Sequence, residues 1–285
     1  MYFSFLHLIP AALFTLAAAA SVSASPWAVF STPSEHDPKS VGTYTNGCLL
    51  GAAKLPAEGP GYQVVRLSRN RNYGHPVLVD YLADLGLRVN DADLGTMLVA
   101  DVAMPRGGAF DHGHRSHQTG LDADVWLRLD VPPLPRDQRT GQDDVAAMDM
   151  VDGKNFLVDR RYWTAAQAQL LHLAAADDRV ARIFVHPAIK KALCEQDWPD
   201  RAWLRRIRPW HGHTAHFHVR LHCPTGDDTC RFQEPPPAGD GCGAELASWL
   251  PPLYRPPSSG GRKSRPPLPA ACQALLADAS RYRQD

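Results

Sequence analysis

The 285-residue sequence has no surplus of charge: 30 Lys and Arg stand against 30 Asp and Glu. Without a basic field there is nothing to hold a polyanion, which argues against a nucleic-acid partner on electrostatic grounds. Beyond the N-terminal region no segment approaches 18 uninterrupted apolar residues, so no transmembrane segment is expected there. None of the six cysteines form C-x-x-C pairs, which removes the zinc-ribbon reading. No internal repeat is present. Otherwise the composition is that of a globular protein, 44% hydrophobic and 21% charged.

What is present begins at the N-terminus. Ile9 to Ala20 is a 12-residue uncharged stretch, and the small-residue pattern Val22-Ser23-Ala24 follows it. This matches the apolar region and cleavage site of a secretory signal and is too short for a stable membrane anchor. The flank before it carries no Lys or Arg, only His7. The expectation is a signal peptide over residues 1–24 and an exported chain. Cys48, Cys194, Cys223, Cys230, Cys242 and Cys272 all lie beyond it. In an exported protein they should pair, and counting alone leaves 15 connectivities open.

Residues 25–60 read as irregular. Pro76 to Leu85 has the apolar spacing of a helix, with Gly86 placed to end it. Thr96 to Met104 reads as a buried strand. From Leu121 to Leu129 the pattern alternates, with Leu121, Ala123, Val125 and Leu127 on one face and Asp122, Asp124 and Trp126 on the other. Thr164 with Gln167 forms a capping-box pattern for a helix to about Ala176. Ile183 to Val185 is a short strand, and Pro187 suits the first turn of a helix reaching Cys194. His216 to Cys223 alternates again, placing His216, His218, Arg220 and His222 on one face. Ten prolines between Pro235 and Pro269 read as an extended tail, broken by a short helix near Ala244–Leu250 and closed by a helix over Ala270–Ala279. The fold class that follows is a single-domain α+β protein with helices flanking a central, mostly antiparallel sheet. Its core spans 25–234, and a Pro-rich extension, 235–285, packs on it through disulfides.

The histidines gather. Of 13, eight fall in two short segments: His112, His114 and His117, then His211, His213, His216, His218 and His222. Neutral imidazole and carboxylate are good Zn²⁺ ligands, and a catalytic zinc keeps three protein ligands and one open position. His117 and Asp124 arise from one loop-strand unit, and His218 on a neighbouring strand completes a His₂Asp set. His216 and His213 precede it by two and five residues, where either would border the open position as a base. Asp122 shares the Asp124 face and is placed to orient ligands by hydrogen bonding. His114 lies near enough to bind metal or substrate. His75 reads as a helix-start residue, His36, His172 and His186 as surface bystanders, and His112, His211 and His222 as solvated neighbours. Trp198, Trp203 and Trp210, set among Arg201, Arg205, Arg206 and Arg208, read as a core edge with a basic solvated face or as a substrate groove, the former favoured.

His117-x₆-Asp124 followed far downstream by His216-x-His218 resembles the zinc signature of the LAS metallopeptidases. Within that group the wording resembles the penicillin-insensitive murein endopeptidase family. The match includes Tyr73-Gly74-His75-Pro76, His114-x-x-His117-Gln118-x-Gly120-Leu121-Asp122-x-Asp124, Arg208-Pro209-Trp210, Ala215-His216-x-His218-Val219-Arg220 and Gly239-Asp240-Gly241-Cys242, over roughly residues 40 to 277. The resemblance implies Zn²⁺ held by His117, Asp124 and His218, with His114 as a further histidine of the metal site and His216 acting in catalysis. Related peptidases commonly carry a Glu three residues before that histidine; here it is His213, so imidazoles must serve. Asp152 matches the first residue of a second metal position, but Asn155 stands where its His is expected. The cysteine contexts imply pairing of Cys48 with Cys272, Cys194 with Cys242, and Cys223 with Cys230. The implied activity is periplasmic hydrolysis of D-alanyl–meso-diaminopimelyl cross-links in peptidoglycan. A D,D-carboxypeptidase and a non-catalytic zinc- or wall-binding protein are the alternatives.

Overall fold

The computed structural model describes residues 25–130, 132–141, 145–152, 156–254 and 266–281. The expected signal peptide, Asn155 and the middle of the Pro-rich stretch lie outside these. In chain order the strands are β1 (Lys39–Thr43), β2 (Asn46–Leu50), β3 (Ala53–Lys54), β4 (Glu58–Gly59), β5 (Tyr62–Val64), β6 (Tyr73–Gly74), β7 (Thr96–Ala100), β8 (Asp122–Asp130), β9 (Val151–Asp152), β10 (Leu157–Val158), β11 (Val180–Val185), β12 (Ile207–Pro209) and β13 (His216–Leu221). The helices are α1 (Pro76–Asp91), α2 (Asp137–Thr140), α3 (Ala165–Ala175), α4 (Pro187–Cys194), α5 (Ala244–Ser248) and α6 (Ala270–Ala277).

Seven strands form one sheet in the order β12-β11-β13-β8-β7-β5-β4. Its pairings are antiparallel except β11 with β12 and β5 with β7. The α+β class and the mostly antiparallel sheet are therefore as the patterning predicts. The period-2 alternation of β8 and β13 divides the sheet into two chemically distinct faces. Leu121, Ala123, Val125 and Leu127, with Phe217, Val219 and Leu221, join one core with Leu78, Tyr81, Leu82 and Leu85 of α1 and Leu170 and Leu171 of α3. Each such large side chain contributes roughly 1.5–3 kcal/mol on burial. The other face carries the polar residues. There Asp124 lies opposite His218, Asp122 opposite Arg220, and Trp126 opposite His216 across the β8–β13 ladder.

The helix starts follow local chemistry. His75 and His186 each accept a backbone N–H bond at the N-terminus of α1 and α4, with Pro76 and Pro187 at the first helical position. The Thr164–Gln167 capping box opens α3 as expected. Four expectations need correction. Residues 25–60 are irregular only in part: after residue 38, β1 and β2 form an antiparallel hairpin, whose glycines Gly42 and Gly47 are places of close backbone approach. The expected strand over Thr96–Met104 ends at Ala100, because Asp101 turns the chain with φ 25°. Gly86 does not end α1, which continues to Asp91; it lies inside the helix beneath Pro60 and Tyr62. His186 is likewise no surface bystander but a buried cap.

All three implied disulfides are formed, with Cα–Cα separations of 5.6, 5.7 and 5.7 Å. Cys48–Cys272 joins α6 to the hairpin, where Trp27, Phe30, Val41 and Leu275 make a second small core. No helix among the described residues is long and apolar enough to cross a membrane.

A Cβ at position 86 would fall 2.6 Å from the Pro60 carbonyl oxygen and 2.7 Å from Tyr62 Cδ1. Gly86→Ala is therefore expected to lower stability by about 1–3 kcal/mol in urea unfolding despite its better helix propensity. A gain in stability would show that this contact relaxes freely.

Candidate metal centre

The polar face of β8 and β13 meets the loop between β7 and β8, and there the predicted histidines converge. His114 Nδ1 is 3.1 Å from Asp124 Oδ2; from Asp124 Oδ1, His117 Nε2 is 3.5 Å and His218 Nδ1 3.0 Å. One ligand atom from each of these four residues lies within 4.8 Å of the others. Nitrogen and oxygen ligands about 2.0–2.2 Å from a tetrahedral ion stand ~3.3–3.5 Å apart, so the cluster has the dimensions of a Zn²⁺ site. All but His114 are buried.

Two atoms carry the fit further. His117 Nδ1 is 2.7 Å from the Val102 carbonyl oxygen and so carries the hydrogen, while its buried Nε2 has no hydrogen-bond partner. A buried imidazole nitrogen held as an acceptor, with nothing donating to it, is what a metal ligand needs to be. His218 has the complementary arrangement: Nε2 is 2.9 Å from Asp122 Oδ1, and Nδ1 faces Asp124. A ring held by Asp122 on one nitrogen offers the other to the cluster, the carboxylate–histidine–metal pattern.

The chain reaches this geometry through local strain and loop structure. His117 adopts φ 67°, and its backbone N–H donates to Asp122 Oδ2 at 3.2 Å. Phe110 stacks on the His117 ring at 5.4 Å, and the Arg71 guanidinium lies 3.9 Å over Phe110. Asp101 Oδ2 accepts from Arg69 at 2.9 Å and lies 3.8 Å from His114 Nε2.

Electrostatics in the metal-free cluster follow from burial and opposed charges. Burial alone would raise the Asp122 carboxyl, but Arg220 and His218 outweigh it and hold it well below the carboxylate range. Burial likewise opposes ionisation of Asp124, yet His117 and His216 keep it ionised. His218 would lose its proton to burial alone, but Asp122 and Asp124 push it up to about 9, so the ring is a cation between two carboxylates. A position that already favours positive charge suits a divalent ion. Burial lowers His114 to about 4, against the pull of Asp124. His213 falls to about 3 through burial and then the neighbouring His216 and His218, and His216 also falls below its ordinary value, chiefly through burial.

His216 and His213 border the cluster without joining it. His216 Nε2 is 3.8 Å from Asp124 Oδ1 and has no hydrogen-bond partner. The His213 ring is centred 5.0 Å from that of His216; its backbone has φ 53°, and its Nδ1 lies 3.0 Å from the His211 carbonyl oxygen. Asp152 is not brought to this group: it lies on β9, which pairs with β10, and lines a separate surface cleft of about 780 Å³ with Lys191 of α4 and Glu195 at its end. Trp198 and Trp203 pack against the core as the blander reading expects, whereas Trp210 is 52% exposed and stands beside Phe184, itself 5.6 Å from His218. Sequence reasoning did not anticipate Val102, whose backbone carbonyl orients His117, or the Phe110–Arg71 stack.

If the cluster binds metal, adding Zn²⁺ at about 100 times its Kd should stabilise the protein by about 2.7 kcal/mol. Asp124→Ala should abolish that shift in thermal melting, measured against the variant's own melting temperature with chelator present. An unchanged shift in the variant would place the ion elsewhere.

Residues 40–277 match the family model for penicillin-insensitive murein endopeptidase. A penicillin-insensitive murein endopeptidase of Haemophilus influenzae is 51% identical over 249 residues, covering 86% of this chain and 85% of that protein. One from Klebsiella pneumoniae subsp. pneumoniae is 46% identical over 272 residues, covering 93% and 96%. Another, from Yersinia enterocolitica, is 45% identical over 258 residues, covering 90% and 91%. With a model spanning most of its length and relatives this similar, the chain belongs to the penicillin-insensitive murein endopeptidase family.

Proposed function

We propose that this protein is a zinc-dependent endopeptidase that hydrolyses the D-alanyl–meso-diaminopimelyl amide cross-links of peptidoglycan in the periplasm. The observation that carries the reading is His216 Nε2, unpartnered and 3.8 Å from the Asp124 carboxylate of a four-residue metal-binding cluster. Storage of a metal needs ligands alone; hydrolysis also needs a base beside them. In this reading residues 1–24 are a cleaved signal peptide, 25–234 the peptidase core, and 235–285 an extension tied back by disulfides.

His117, Asp124 and His218 would hold the Zn²⁺, with His114, on a largely exposed loop, offering a further nitrogen beside them. The chemistry a bound Zn²⁺ supplies is Lewis acidity, which polarises the scissile carbonyl and acidifies the attacking water. The chain's own residues handle the proton. At neutral pH His216 is neutral, so its Nε2 can accept the proton of the attacking water and return it to the departing amine. His213 donates its Nδ1 hydrogen to the His211 carbonyl, which leaves Nε2 as a second acceptor on the same side. Once either ring is protonated it stabilises the negative charge developing on the carbonyl oxygen. Asp152 takes no part in this scheme, which needs one ion. No serine acyl-enzyme forms, so a β-lactam should leave the rate unchanged.

Purified protein incubated with cross-linked muropeptide dimers should release monomers, and a chelator should stop the reaction. His216→Ala should lower kcat about 10²–10⁴-fold while keeping the zinc-dependent thermal shift. Release of terminal D-Ala alone would identify a carboxypeptidase instead. A zinc-loaded protein that yields no product would remove the catalytic reading altogether.

A further inference from the structure

Beyond the ligand cluster, one buried cation has no place in the proposed chemistry. Arg220 is 7% exposed and follows His218 by two residues on the same face of β13. Its Nε donates to Asp122 Oδ1 at 2.7 Å, the same oxygen that accepts from His218 Nε2 at 2.9 Å. Its NH1 donates to Gln233 Oε1 at 2.7 Å. The guanidinium lies 4.0 Å from the Tyr44 ring centre and 5.4 Å from that of Phe184. Tyr44 is itself anchored, donating its hydroxyl hydrogen to the Leu221 carbonyl at 2.9 Å.

We propose that Arg220 is a positioning residue of the metal centre, fixing the Asp122 carboxylate so that His218 and His117 present their ligand nitrogens to a metal ion. The proposal rests on the cluster binding metal, as read above, and asks what aims the ligands.

Three constraints point to this role. Asp122 is wholly buried, and an ionised carboxylate there is strongly disfavoured unless paired. Its two oxygens are divided between the ligand segments: Oδ1 takes the His218 ring, and Oδ2 takes the His117 backbone N–H. The carboxylate can hold both only in one orientation. Arg220 is held in turn from three directions, by Gln233, Tyr44 and Phe184, so its own fork is already in place before metal arrives. A lysine could supply the charge but not the planar fork between two rings.

The test compares Arg220→Gln, Arg220→Lys and Gln233→Ala with the unsubstituted protein. Zn²⁺ affinity is measured by competition with a chromophoric chelator, the visible spectrum with Co²⁺ reports ligand geometry, and melting with chelator present reports the fold alone. Arg220→Gln should bind Zn²⁺ about 10–100-fold more weakly and change the Co²⁺ spectrum, with Arg220→Lys recovering part of the affinity. Gln233→Ala should weaken binding less, at an unchanged metal-free melting temperature. Wild-type affinity and spectrum in Arg220→Gln would overturn the proposal. Should that variant fail to fold, Arg220→Lys and Gln233→Ala decide: reduced affinity with an unaltered metal-free melting temperature supports it, and unaltered affinity refutes it. These readouts need no substrate, so a protein that binds zinc normally yet cleaves no muropeptide would count against the proposed function and leave this inference standing.

Discussion

The site depends on one buried carboxylate. Asp122 accepts from the His218 ring, the Arg220 guanidinium and the His117 backbone, and so ties strand β13 to the loop that precedes β8. The β8–β13 register brings Asp124 opposite His218, but register alone leaves the ring free to turn about its side-chain bonds. The Asp122 bond removes that freedom, and the Val102 carbonyl does the same for His117. Two imidazole rings are thereby held in defined orientations before any ion is present.

Such an arrangement is costly in a protein without a bound cation. Asp122, Asp124, His117 and His218 are all buried, and the ionised groups must be paired to persist there. His218 between two carboxylates is the compensation available to the chain itself. A divalent ion at the cluster would be the stronger one. The apolar face, packed on α1 and α3, supplies the rigidity against which those ligand positions are held.

Much of this was legible in the sequence because period-2 alternation survives in the site strands. Asp122 and Asp124, then His216, His218 and Arg220, declare a shared polar face from residue type alone. The histidine spacing and the family resemblance then selected the ligands. What escaped was set by tertiary contacts. Nothing in the residue at position 102 signals that its carbonyl orients His117, since every residue has one. The β1–β2 hairpin hid because its glycines answer to tertiary contacts; at Gly47 a Cβ would fall 2.2 Å from the Val41 carbonyl oxygen, so close packing demanded the glycine. Gly86 misled in the same way, whereas the cap at His186 was within reach, since Pro187 already marked the helix start that it precedes.

The central claim is that the hydrogen bonds accepted by Asp122 and by the Val102 carbonyl choose which imidazole nitrogens face the ion. A crystal structure of the zinc-loaded protein, with the ion located by its anomalous scattering, tests it most directly. The account predicts one ion bound by His117 Nε2, His218 Nδ1 and an Asp124 oxygen, with Asp122 still bonded to His218 Nε2. An ion bound through His218 Nε2, with Asp122 turned away or itself a ligand, would contradict it.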